Sequence, residues 1–185
     1  KEKLRKTTEF GTAHDPHFWH DVNLFATSIK LAGKQFSIQF PQSKINIDSA
    51  TLSYTKSLLE TERYIHNEIT KIPDSSRVLI TAHDAFGYYG RLFGIEVKGV
   101  QGISTASDIS LRGITELTNF IVERNIPSIF VENSVSQKNI NSVRTHFKDV
   151  SLFEINLGLN KKLLQLKLKT PGKIILKLIL ESTQK

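Results

Sequence analysis

Arg77-Val78-Leu79-Ile80-Thr81, then Ala85 to Gly94, then Ile95-Glu96-Val97-Lys98-Gly99-Val100 follow one another with only Ala82-His83-Asp84 between the first two. The first is an unbroken apolar run of strand length, the second a short helical stretch closed by glycine, and the third alternates with period two. Leu111, Ile114, Leu117, Ile121 and Val122 then mark a helix, and Ile126-Pro127-Ser128-Ile129-Phe130-Val131-Glu132 a strand. Ser136 to about Phe147 reads as helix, and Val150-Ser151-Leu152-Phe153-Glu154-Ile155 as a last strand. Strand and helix repeating at this spacing imply right-handed βαβ units: an α/β fold with a parallel sheet and flanking helices. Ligands of such sheets gather at the carboxyl ends of the strands, where His83 and Glu132 fall.

Upstream, Asp48 to about Lys71 is free of turn residues and favours helix. Leu52, Leu58, Leu59, Ile65 and Ile69 approximate one apolar stripe, Asp48 or Ser49 can cap the start, and Pro73-Asp74-Ser75-Ser76 ends it. At 1.5 Å per residue this long helix reaches about 30–35 Å, enough to span a small domain. Residues 1–47 make no domain alone; Phe10 to Ile47 read as the closing part of a larger unit. The expected division is therefore 1–47, a connecting helix over 48–71, an α/β lobe over 72–155, and an atypical basic tail over 156–185.

The net charge of +7 invites a nucleic-acid reading that its distribution opposes. Residues 160–185 hold seven lysines against the single Glu181, so nearly all of the excess lies in the tail. Neither basic-aromatic interleaving nor zinc-finger or helix-turn-helix spacing is present, so no nucleic-acid partner is expected. There is no cysteine and no methionine, which removes thiolate ligation, catalytic thiols and disulfides. Lys1-Glu2-Lys3-Leu4-Arg5-Lys6 has the charge of a signal-peptide start without the apolar stretch that follows one. A processed product or a fragment is expected.

Two segments place a histidine beside a carboxylate where apolar residues give way to turn-prone ones. They are Asp15-Pro16-His17-Phe18-Trp19-His20-Asp21-Val22 and Thr81-Ala82-His83-Asp84-Ala85-Phe86-Gly87-Tyr88-Tyr89. Neutral imidazole is a common ligand for transition metals, and two such loops from distant parts of a chain suit a metal site. Asp15 and Asp84 are candidates to orient a ligating imidazole through its other nitrogen; N-capping of a helix from Ala85 is the alternative for Asp84. His14 and His20 read as solvated loop residues, and His66 and His146 as structural. Gly99-Val100-Gln101-Gly102 lacks the ending of a phosphate loop, and no serine sits in a Gly-x-Ser-x-Gly elbow. No enzyme is expected.

Four ordered motifs carry a resemblance: Asp15-Pro16-His17-Phe18-Trp19, Thr81-Ala82-His83-Asp84-Ala85-Phe86-Gly87-Tyr88, Val100-Gln101-Gly102-Ile103-Ser104-Thr105-Ala106 and Ile129-Phe130-Val131-Glu132-Asn133-Ser134-Val135. From about Thr12 to Lys148 the chain resembles the zinc/manganese solute-binding proteins of bacterial ABC transporters, the metal-binding adhesin lipoproteins. The resemblance implies two α/β lobes joined by a spanning helix, with one metal held between them by three histidines and a carboxylate or by two of each. Residues 48–71 then look like the connector, 1–47 like the residual end of the first lobe, and 72–155 like the second. His17 inherits the last ligand position of the first lobe and His83 the first of the second. A histidine at position 83 leans towards zinc, with manganese the alternative. Glu132, at a strand end facing the cleft, is read as holding Ser134 and the local backbone, with direct ligation as the alternative.

The resemblance further implies an ABC permease as partner, an extracytoplasmic, membrane-associated location, and membrane contact only through the permease or a lipid anchor not present in this chain. The alternative function is an adhesion or protein-interaction module. Departures from the pattern matter equally. The family's earlier histidine ligand would precede Lys1, and residues 156–185 contain no Asp to supply the late carboxylate. Two of four ligands are therefore expected, with impaired metal binding. Leu164 to Leu178 alternates around Pro171-Gly172 like a hairpin, yet the Lys, Leu and Ile bias suits a reading frame lost near residue 150. Sequencing downstream of that codon should reveal a Tyr-Ser-Asp segment in another frame; its absence from every frame would sink the idea.

Overall fold

The computed structural model describes residues 4–7, 13–101, 111–126, 128–132, 145 and 151–155. Four strands form one sheet: β1 (Val78–His83), β2 (Glu96–Gln101), β3 (Ser128–Glu132) and β4 (Ser151–Ile155). Their order is β2-β1-β3-β4 and every neighbouring pair is parallel. The strands are those read from the sequence, with β1 running to His83, two residues beyond Thr81.

β1 is flanked on both sides, and all six of its residues are buried. That explains its lack of alternation, because a central parallel strand meets apolar layers on both faces. Leu79 packs with Ile65, Ile69, Phe86, Tyr89 and Phe93 on one face. Val78, Ile80 and Ala82 pack with Leu117, Ile121 and Ile129 on the other. The helices α2 (Lys44–Ile69) and α3 (Gly87–Phe93) thus cover one face, and α4 (Leu111–Glu123) the other. Thr81 pairs with Phe130 across β1 and β3, which sets the last residues of the two strands, His83 and Glu132, at one level. α3 stops at Gly94, whose φ of 67° lies in the left-handed region that glycine enters without strain.

α2 differs from its expected span at both ends. It begins at Lys44, directly after a 3-10 turn over Pro41–Ser43, and its 26 residues reach about 39 Å. Asp48 is not a cap. It lies inside the helix, ion-paired with Lys44 and accepting a hydrogen bond from Ser37 Oγ at 2.7 Å. Leu58, Ile65 and Ile69 are buried as expected, whereas Leu52 is 71% exposed and Leu59 also faces solvent. The buried stripe passes instead through Thr55 and Thr61, each of which returns its hydroxyl to its own helix backbone.

A helix that the sequence reading missed, α1 (Val22–Gln39), precedes α2. Asp21 caps it, its Oδ1 accepting from the Asn23 and Leu24 N–H groups at 3.0 and 3.1 Å. It ends before Pro41, as a residue preceding proline disfavours helix. α1 and α2 form a helical hairpin whose contact includes Val22, Ala26 and Leu58, with Phe25 edge-on to Tyr54. Away from that seam Leu31, Phe36, Ile38 and Ile45 are exposed, Ile45 to 84%. Among the described residues no helix is long and apolar enough to cross a membrane. The expected helix over 136–147, the Gly102 turn and the basic tail with its hairpin pattern lie outside the described residues, apart from Thr145, which is helical.

Gly33 sets the closeness of the hairpin, since a Cβ there would overlap Oγ1 and Cγ2 of Thr51. Gly33→Ala should destabilise the chain in urea unfolding, overpacking of about 1–3 kcal/mol outweighing a helix-propensity gain of roughly 1 kcal/mol. Adding Thr51→Ala should recover the loss; a stabilised single variant would contradict the packing.

Candidate metal centre

His17 lies in a short turn between Asp15 and the 3-10 segment Phe18–His20, immediately before α1. His83 is the final residue of β1. The fold brings these two sequence-distant imidazoles together, with ring centroids 5.6 Å apart at 65°. Trp19 lies edge-on to His17 at 5.4 Å and is 47% exposed, so the pair sits just beneath the surface.

Asp15 organises the first of these residues. Its side chain is fully buried, and its Oδ1 lies 2.8 Å from His17 Nδ1 while accepting the His17 backbone N–H at 3.0 Å. A carboxylate so placed accepts a hydrogen bond from Nδ1–H and leaves Nε2 as the ring nitrogen with a lone pair. Asp15 Oδ2 pairs with Arg5 Nη1 at 2.6 Å. Burial alone would raise the Asp15 pKa; the two His17 hydrogen bonds and the Arg5 charge outweigh it, and the net shift is downward. The expected orienting role of Asp15 matches this contact.

Asp84 behaves differently. It does not cap α3, which starts at Gly87 with Phe86 as N-cap and no side-chain capping bond. Its carboxylate lies 3.9 Å from Arg5 Nη2. The turn after β1 is held by the His83 carbonyl, which accepts from Thr81 Oγ1 at 2.8 Å and from the Ala85 N–H at 2.9 Å.

His20 is a correction. Far from being a solvated loop residue, it stacks on Phe86 with centroids 4.6 Å apart. Burial, then the neighbouring His17 and His83, lowers its pKa to about 4, against a smaller upward pull from Asp15. The ring lies between the neighbouring Trp19, at 5.9 Å, and Phe86, and the Phe86 contact is one that nothing local in the sequence announces. His14 is exposed, as expected, in an antiparallel bridge to Lys6, and His66 is exposed on α2. The Glu132 backbone ends β3, while its side chain, Asn133 and Ser134 lie outside what is described. Among the described residues no three His, Asp or Glu side chains converge with metal-ligand geometry.

Because the folded-state pKa of His20 is depressed, its neutral form favours folding. That contribution is complete above the unfolded value near 6.5 and is lost as pH falls towards about 4. Stability should therefore decline by about 2–3 kcal/mol across this window, and His20→Phe should flatten the profile relative to the parent. Identical profiles for the two proteins would refute the half-buried neutral imidazole.

Comparison with known proteins bears on this geometry. A family model described as "ZnuA: Zinc-uptake complex component A periplasmic" matches residues 1–160, leaving 161–185 outside. The manganese-binding lipoprotein MntA of Bacillus subtilis is 41% identical over 143 residues, which cover 77% of this chain and 46% of that protein. The zinc-binding protein TroA of Treponema pallidum is 39% identical over 130 residues, covering 70% and 42% respectively. The chain thus spans less than half the length of these curated relatives. The solved periplasmic zinc-binding TroA from the same organism superposes with a TM-score of 0.79 at 30% identity, over 99% of this chain and 67% of that one. The laminin-binding protein Lmb of Streptococcus agalactiae shares the fold, with a TM-score of 0.77 at 21% identity over 98% of this chain and 68% of that one. With the family model matched over most of its length, the chain belongs to the ZnuA family of zinc-uptake components.

Proposed function

We propose that this chain is a metal-capture protein of an ABC importer, taking up a divalent ion outside the cytoplasm and passing it to a permease. The ion is zinc, with manganese as the alternative; the relatives named above include one of each kind. It acts as a binding protein with no chemical step, in an extracytoplasmic, membrane-associated setting that its lipoprotein relatives suggest.

The observation that carries this reading is the approach of His17 to His83 at 5.6 Å between centroids. Two imidazoles sharing a tetrahedral zinc at about 2.0–2.1 Å per Zn–N bond have centroids roughly 5.2 Å apart. The pair therefore needs little movement to share an ion. His17 offers Nε2, since Asp15 engages Nδ1. Among the described residues these two nitrogen donors make a half-site, and two donors alone hold zinc far more weakly than a four-ligand centre.

The same reading divides the chain. Residues 1–47 form the closing part of a first lobe, 48–71, which hold most of α2, the connection to a second, 72–155 that second lobe, and 156–185 an atypical basic tail, of which 161–185 lies outside the family match. Exposed Leu31, Phe36, Ile38 and Ile45 on the hairpin support the division, being apolar side chains that a lobe would cover. The adhesion module is the weaker reading, because the laminin-binding neighbour is alike in fold alone.

Thermal unfolding with zinc, manganese and chelator, beside His17→Ala and His83→Ala, tests the proposal. Zinc at a hundredfold excess over its Kd adds about 2.7 kcal/mol, raising Tm by about 5–10 °C in a chain of this size. Both variants should lose the rise. A folded protein indifferent to metal would overturn metal capture, and a single tight site would overturn the half-site.

A further inference from the structure

We infer that Tyr88 is a positioning residue for the metal centre, its hydroxyl holding the segment that fixes His17 in one tautomer. This rests on the reading of His17 as a metal ligand and adds a residue that neither motif spacing nor ligand chemistry identifies.

Tyr88 is on α3, the helix that follows the β1 strand ending in His83, and its side chain is fully buried. A buried phenol must satisfy its hydroxyl, and both partners of this one come from the segment ahead of His17. Tyr88 Oη accepts the Arg5 backbone N–H at 2.9 Å and donates to the Asp15 carbonyl at 2.9 Å. Those residues are also joined to each other, by the Asp15 N–H to Arg5 C=O bond at 2.9 Å and the Arg5–Asp15 ion pair. A single oxygen therefore grips both sides of a small antiparallel ladder.

The grip is repeated at the other end of the turn. Arg91, one helical turn beyond Tyr88, places Nη2 3.1 Å from Asp21 Oδ2, and Asp21 caps α1. The Arg5 and Arg91 guanidiniums both lie over the Tyr88 ring, at 5.8 and 5.1 Å. α3 thus holds Asp15 through Tyr88 and Asp21 through Arg91, with His17 to His20 suspended between them. Since His83 belongs to the same βα unit, the clamp ties the two imidazoles to one rigid body. Loosening it frees the Asp15 carboxylate, and with it the Nδ1 proton of His17.

Long-range 1H–15N correlations of the His17 ring, recorded on the metal-free 185-residue chain at mildly alkaline pH, read this directly. The parent should show one tautomer, protonated at Nδ1. Tyr88→Phe keeps the ring and removes the oxygen; it should give a mixture of tautomers and, by competition titration, zinc affinity about tenfold weaker. Should Tyr88→Phe fail to fold by circular dichroism, Gly87→Ala decides the matter. A Cβ at Gly87 would overlap the Arg5 guanidinium, so that variant displaces Arg5 with Tyr88 intact and should give the same mixture. Unchanged tautomer and zinc affinity in the folded variants would overturn the clamp while leaving metal capture standing. Zinc binding indifferent to His17→Ala would overturn His17 as a ligand, and the tautomer comparison would still decide the clamp.

Discussion

The arrangement around the two histidines depends on one buried anion, the Asp15 carboxylate. Removing such a group from water costs several kcal/mol, which only close partners offset. Asp15 has them on both oxygens: Arg5 on one, the backbone and ring of His17 on the other. The need to satisfy this charge fixes the conformation of the turn, and the turn fixes His17. Arg5, Tyr88 and α3 matter to the site because each keeps Asp15 in place. The placement of the His17 ring is thus set one layer behind the imidazoles.

The second imidazole is placed by an ordinary consequence of parallel sheets. β1 is central, apolar on both faces and rigid, and its last residue emerges where the chain turns towards α3. The His83 carbonyl is held by two donors in that turn, so the backbone carrying the ring is anchored independently of any ion. The α1–α2 hairpin delivers the other half, its start capped by Asp21 and its far end joined to the sheet through Ile65 and Ile69.

What could be read from sequence was what local pattern encodes. The strands were legible because apolar runs and period-two alternation are short-range signals, and the α/β class followed from their order. α1 was missed although Asp21 and Pro41 bracket it. Its buried face is built from Val22, Ala26, Gly33 and Ser37, too small and polar to print an apolar stripe. The same economy on α2 buries Thr55 and Thr61 where leucines are expected. Asp15 beside His17 was legible as a local pair, whereas the approach of His17 to His83 needed the resemblance. Tyr88 closes a motif and Arg5 lies in a basic stretch, yet neither local context gives a role, because their importance arises only when the ladder ahead of His17 lands on α3. His20 shows the same limit: its environment comes from Phe86, far away in the chain.

The burial of Asp15 also shapes how such a sequence drifts. Losing the partner of a buried ion leaves an uncompensated charge and costs about 3–5 kcal/mol, a large share of the 5–15 kcal/mol by which domains are typically stable. Exchanging His83 for another residue of similar size leaves no such charge behind, whereas exchanging His17 removes a partner of the Asp15 carboxylate. Selection for folding alone therefore retains Asp15, Arg5 and His17 in a lineage that no longer handles metal, while His83 wanders. The order of loss among descendants would record when metal handling ceased to be selected, with His83 as the early marker and the Asp15–His17 pair as the late one.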